Sequence, residues 1–381
     1  MHMQKHLYLD HAAATPLRAE VLEAMLPYLR DQYANPSSTH SMGREAREAV
    51  EQARERIAAI LHCSPEEVVF TGSGTESDAL AIKGVARGHV GQNRLITSQI
   101  EHPAVLNSHE ELAKEGFETT YVSVSSDGLV DPHSVGKLLS KEVSIVSVMY
   151  ANNEIGTIQP IKEIAQLAHQ HGALMHTDAC QAAGALSINV KELGVDLLTL
   201  NGSKIYGPKG VGVLYIKQGV ELQPLFSGGG QERGLRGGTE NVASIIGLAT
   251  ALELAEKDRE SENARLTALR DQLMAGLLHI EGTTVNGHQS KRLPNNINIS
   301  FKGLDASSII EAFDQKGILC SSTSACAAEN QDPSHVLLAL GRTYKEAFES
   351  VRLTLGRDTT NEDIQFTIKT ATEIVARLRR S

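Results

Sequence analysis

The chain has 381 residues, 41% of them apolar, which is long enough for two domains and rich enough in hydrophobic residues for a substantial core. Its 36 basic and 46 acidic residues give a net charge of −10, so phosphate repulsion argues against sequence-independent binding to nucleic acid. No apolar run reaches membrane-spanning length, and Met1-His2-Met3-Gln4-Lys5-His6 lacks a secretory core, so a cytoplasmic protein with no membrane partner is expected. Four scattered cysteines with no C-x-x-C pair predict neither a disulfide framework nor a structural zinc site, and no metal is expected.

In chain order, the spacing of Ala46, Val50, Ala53, Ile57 and Ile60 predicts an amphipathic helix. Short β-rich runs follow at 68–71, 94–97, 117–122, 143–149, 173–177, 197–200 and 211–216, separated by helical patterns. That alternation predicts an α/β fold whose large domain has a mostly parallel seven-stranded sheet flanked by helices. A helical pattern from Asn241 to Leu278 is expected to break at the charged stretch 256–262. Beyond it, strands at 296–301 and 350–355 and helices at 306–315 and 362–379 predict a smaller α+β domain. The expected division is 15–261 for the large domain, and 1–14 with 262–381 for the small one.

Three motifs carry chemistry. Thr71-Gly72-Ser73-Gly74-Thr75-Glu76-Ser77 follows a strand and opens a helix, so its backbone N–H groups and the Thr75 hydroxyl suit an anion. Such a turn is structural more often than functional, and it is neither a P-loop nor a dinucleotide fingerprint. Asp178 ends an apolar strand, at the edge where open α/β sheets bind ligands, although it could equally cap the next turn. Lys204 lies between a strand and a Gly-Pro turn, where desolvation would lower its pKa and allow imine chemistry. A phosphate loop, a strand-end acid and a later lysine together form a pyridoxal-5′-phosphate (PLP) constellation, with the large domain as the PLP-binding one.

With these in place the chain resembles the cysteine desulfurases of the NifS/IscS type. The resemblance runs through Tyr8-Leu9-Asp10-His11-Ala12-Ala13-Ala14-Thr15-Pro16, Asn35-Pro36-Ser37-Ser38, Glu101-His102, Asn152-Asn153-Glu154-Ile155-Gly156, Gly228-Gly229-Gly230-Gln231-Glu232-Arg233-Gly234 and Arg352-Leu353-Thr354-Leu355-Gly356-Arg357. It implies that Lys204 binds PLP and moves the Cα proton, that Asp178 pairs with the pyridine nitrogen, and that His102 stacks on the ring as an acid/base. It implies that Gln181 and Asn153 lie near the cofactor 3-hydroxyl, with Asn153 also near substrate, and that Gly74, Thr75 and Ser203 hold the phosphate. Thr239 matches a residue that reaches the phosphate from the other subunit of a homodimer. Arg352 matches the arginine that grips the substrate carboxylate. The polar loop from Ser321 to Asp332 carries Cys326, which matches the cysteine that receives sulfur from L-cysteine as a persulfide, releasing L-alanine. The long spacer after Cys326 resembles the subgroup that passes sulfur to an iron–sulfur scaffold protein. Cys63, Cys180 and Cys320 read as structural. Relatives carry Ser and His where this chain has Asn201 and Ser203. A selenocysteine lyase or another enzyme of the same aminotransferase class is the alternative, and Cys326 weighs against it.

Overall fold

The computed structural model describes residues 6–89, 91–322 and 332–380. Its strands are β1 (Leu7–Tyr8), β2 (Val68–Thr71), β3 (Arg94–Ser98), β4 (Glu118–Val122), β5 (Val143–Ser147), β6 (Leu174–Asp178), β7 (Leu197–Asn201), β8 (Gly212–Ile216), β9 (Thr283–Asn286), β10 (Asn296–Phe301), β11 (Ile318–Leu319) and β12 (Ser350–Thr354). Seven of them form one sheet in the order β2-β8-β7-β6-β5-β3-β4. β7, β6, β5, β3 and β4 run parallel, while β8 runs antiparallel to both β2 and β7. Every residue of β2, β5 and β8 is buried, as expected where helices cover both faces of a sheet. All seven expected strands are present, and the sheet is mostly parallel as expected.

One core fills one face of this sheet and the helices over it, and a separate apolar cluster that includes Leu80, Ile82, Leu95 and Leu112 covers the other face. The helix Ser41–Leu61 turns Ala46, Val50, Ala53 and Ile57 into the first of these. A second core gathers Leu9, Leu273, Ile299, Phe301, Phe313, Leu353 and Ile374. It lines one side of a three-stranded antiparallel sheet ordered β12-β10-β9, next to the β1–β11 parallel pair. The expected strands at 296–301 and 350–355 are β10 and β12. β9 escaped the sequence reading because Thr-Thr-Val-Asn offers one apolar residue at a sheet edge.

The expected break at 256–262 does not occur. Val242–Leu278 is a single helix of 37 residues. Glu, Lys and Arg are good helix formers, no Pro or Gly interrupts them, and Arg259–Glu256 and Arg265–Glu262 pair one turn apart at 3.0 and 2.5 Å. The charges mark where the helix leaves one core for the other. Upstream, Val242 to Leu252 is buried almost all round, against the helices Ala19–Arg30 and Ser41–Leu61. Downstream only the stripe Leu266, Arg270, Leu273 and Leu277 is buried, against the helix Asn361–Leu378. The expected boundary at 261/262 falls inside this helix.

Leu273 is fully buried where the long helix meets the second core. Leu273→Ala is expected to destabilise the protein by about 2–5 kcal/mol through lost transfer energy and a cavity. Urea unfolding followed by circular dichroism would show this as a lowered midpoint.

Candidate active site

The ends of β6 and β7 set the site, at the carboxyl edge of the parallel strands. Asp178 closes β6, is 7% exposed, and accepts the Cys180 N–H on Oδ1 at 2.8 Å. Asn201 closes β7 and caps the short turn Gly202–Lys204, its Oδ1 accepting from the Ser203 N–H at 3.1 Å and the Ser203 hydroxyl at 3.2 Å. The Asn201 and Ser203 replacements therefore act as a pair that fixes the turn delivering Lys204. Gly202 is required there, since a Cβ would lie 2.7 Å from the Pro208 carbonyl oxygen. Lys204 donates from Nζ to the carbonyl oxygens of Ala12 at 2.9 Å and Ala13 at 2.5 Å. Burial lowers its pKa, and the Arg352 charge adds to that, against the opposing pull of Asp178 and Asp10. Gln181 donates to the same Ala12 carbonyl at 2.9 Å.

The helix Gly74–Gly88 points its N-terminus at this edge. Ser73 caps it through the Glu76 N–H at 3.1 Å, and Thr75 is exposed on the first turn. A Cβ on Gly74 would lie 2.8 Å from Cys180 Sγ, so the helix end sits as close to β6 as a bare backbone allows. First-turn N–H groups have no acceptor within a helix and are turned outward.

His102 caps the helix Pro103–Lys114, its Nδ1 accepting the Ala104 N–H at 3.1 Å. That bond leaves the proton of the neutral ring on Nε2. Burial lowers the His102 pKa, with Asp178 opposing. Beside it Glu101 is buried, held by the Met149 N–H at 3.0 and 3.1 Å and by the Ser98 hydroxyl. Burial pushes its carboxyl up to about 8. Beneath Asp178, Asp78 is buried, with His176 Nε2 3.6 Å from its Oδ1. Burial and then the Asp178 charge raise its pKa, while burial pushes His176 down to about 3.

Arg352 lies in the middle of β12 and is 1% exposed. Its Nη2 donates to Asp10 Oδ1 at 2.8 Å and to Ser321 Oγ at 2.9 Å, and its Nη1 to the Asn153 carbonyl at 3.2 Å. The structure thus gathers Lys204, Asp178, His102, Gln181, Asn153, Ser203, Gly74, Thr75 and Arg352 around one sheet edge and the strand facing it. Thr239 is exposed, accepts from Asn35 Nδ2 at 3.5 Å, and makes no contact with Lys204 among the described residues. Cys326 lies outside the described residues. Cys63 and Cys320 are unpaired thiols that burial pushes to about 12, which suits the structural reading.

Sequence reasoning assigned no role to Asp10, Glu101, Asp78 or the carbonyls of Ala12 and Ala13. For Asp78 a signal existed: it shares the buried face of its helix with Gly74, Ala81, Ile82 and Val85, an acid in an apolar stripe. The carbonyls had none.

The family model of class-V aminotransferases matches residues 7–366. A cysteine desulfurase IscS from Dictyoglomus turgidum is 47% identical over 379 residues, covering 99% of this chain and 96% of the relative. The chain belongs to the class-V aminotransferases, among the cysteine desulfurases of the NifS/IscS type. A solved NifS-like protein superposes with a TM-score of 0.92 at 36% identity, covering 98% of this chain and all of the other. A solved structure of SspA in complex with cysteine gives 0.81 at 37% identity, covering 92% and 98%. Cysteine desulfurases of this family use PLP, and the outward N–H groups at Gly74 and Thr75, the amine of Lys204 and the strand-end carboxylate of Asp178 fit its phosphate, aldehyde and ring nitrogen.

A raised carboxyl pKa makes a signed prediction. Below its ordinary value of 4.5, Glu101 is protonated folded or unfolded, and its stabilising contribution is fully present. That contribution is lost as pH rises through about 8, because the unfolded chain releases the proton first. Glu101→Gln is expected to remove this part of the slope, so that the gain of the variant over the parent grows with pH across that window in urea titrations.

Proposed function

We propose that the chain takes sulfur from L-cysteine, releases L-alanine and leaves a persulfide on Cys326 for transfer to an acceptor protein such as an iron–sulfur scaffold. The observation that carries this is Lys204: a partly buried amine of lowered pKa with two backbone carbonyls as its partners, beside the Asp178 carboxylate. An amine of lowered pKa gives up its proton more easily than an ordinary lysine, as a nucleophile and a base must.

Lys204 would hold PLP at its aldehyde, Asp178 at the ring nitrogen, His102 against the ring and Gln181 at the 3-hydroxyl. Gly74, Thr75 and Ser203 would hold the phosphate, with Thr239 serving the second subunit of a homodimer. The bound cofactor supplies an electron sink for charge developed at the substrate Cα. The protein does the rest. Arg352 grips the α-carboxylate and Asn153 lines the same side. Lys204, released to the free amine, takes the Cα proton. The Asp178 carboxylate pairs with the adjoining nitrogen and keeps it cationic. His102 accepts the thiol proton at Nδ1 by giving up its bond to the Ala104 N–H. The Cys326 thiolate forms a bond to the substrate sulfur, the Cβ–S bond breaks with its electron pair left on Cβ, a proton adds there, and Lys204 returns a proton to Cα to give L-alanine. A reduced, cytoplasmic setting suits the unpaired cysteines. Among the described residues no helix is long and apolar enough to cross a membrane.

With reductant present, the parent is expected to release alanine and sulfide from L-cysteine in equal amounts. Cys326→Ala should release neither, and Lys204→Ala should lose at least about a thousandfold in rate. If the parent is silent with L-cysteine while both it and Cys326→Ala cleave L-selenocysteine, the protein is a selenocysteine lyase instead.

A further inference from the structure

A guanidinium binds a carboxylate through one of two forks, Nε with Nη2 or Nη1 with Nη2. Both forks include Nη2. In Arg352 that nitrogen has two hydrogens, and both are taken: one by Asp10 Oδ1 at 2.8 Å, the other by Ser321 Oγ at 2.9 Å. Ser321 in turn donates to the same Asp10 oxygen at 3.0 Å, closing a ring of three side chains. Arg352 Nε is buried and has no partner among the described residues. One half of the Nε–Nη2 fork is therefore open, and the other half is held by groups of the protein.

A buried cation left unpaired is costly, so some anion must face Arg352 when no ligand does. Asp10 is that anion, at 2.8 Å with its side chain 18% exposed. Its backbone is pinned, since its carbonyl accepts from the Tyr8 hydroxyl and from the N–H groups of Ala13 and Ala14. Only the side chain is free to give way.

We infer that Asp10 is a resident stand-in for the substrate carboxylate and sets the affinity of the site for α-carboxylates. An incoming carboxylate completes the fork on Nε and displaces the Asp10–Ser321 pair from one hydrogen of Nη2. It does so against the negative charge of Asp10, which remains nearby. Asp10 is thus a specificity residue acting through Arg352, and it lowers affinity rather than raising it. This rests on the reading of Arg352 as the carboxylate grip.

The test uses PLP-loaded enzyme and two probes that differ only in the carboxylate, L-alanine and ethylamine, with binding measured by calorimetry. Asp10→Asn keeps the shape and the hydrogen bonds but drops the charge. It is expected to bind L-alanine about tenfold more tightly, the difference between a charged and a neutral hydrogen-bond competitor, and ethylamine as the parent does. Asp10→Ser, also neutral, should behave the same way and serves if the first variant folds poorly. Unchanged or weaker binding of L-alanine would overturn the inference, and so would equal changes for both probes. Arg352→Gln separates the two readings. If it keeps the parent preference for L-alanine over ethylamine, the carboxylate assignment of Arg352 itself fails. If it loses that preference while Asp10→Asn binds L-alanine no better, only the role of Asp10 fails.

Discussion

The contact between Lys204 Nζ and the carbonyls of Ala12 and Ala13 holds the site together. The lysine comes from the end of the large sheet. The carbonyls come from a chain segment whose Leu9 packs in the second core. Amine and carbonyls satisfy each other in a place where neither reaches bulk water easily, and an unmade bond there is costly. The same segment continues the linkage: Gln181 reaches the Ala12 carbonyl, Thr15 bonds the Ser203 carbonyl, and Asp10 pairs with Arg352 across the seam. A few residues near the start of the chain thereby position groups as far as 342 residues away in sequence.

Charge is managed around this seam by unequal burial. Asp178 lies between two carboxyls, Glu101 and Asp78, whose pKa values burial raises. Burial and the Asp178 charge both disfavour the ionised form of these neighbours, since close carboxylates do not all ionise cheaply. His102 and His176 are driven the other way, toward the neutral ring. The outcome is a strand-end carboxyl near a lysine of lowered pKa, with Arg352 already paired to Asp10.

The 37-residue helix Val242–Leu278 gives this seam its rigidity, because it belongs to both cores and is continuous across the gap. Arg18 and Arg357 both pair with Asp258 in its charged middle stretch, at 2.9 and 2.6 Å. The charged stretch where a break was expected is the one that fastens the two halves.

The sequence by itself determined the seven strands, the Gly-rich helix start, the strand-end acid and the lysine turn, because each is a local pattern: apolar runs, a glycine loop, a residue at the end of a run. It also carried the family, through motifs spread over the whole chain. Tertiary structure alone decided the rest. Asp10 pairs with Arg352 across 342 residues, the Ala12 and Ala13 carbonyls belong to side chains that say nothing of their use, and Glu101 takes its raised pKa from burial. The charged stretch at 256–262 read as a break because composition shows polarity, not the two cores that the helix joins. Backbone acceptors, long-range ion pairs and desolvation have no local pattern, since each depends on which distant surfaces meet.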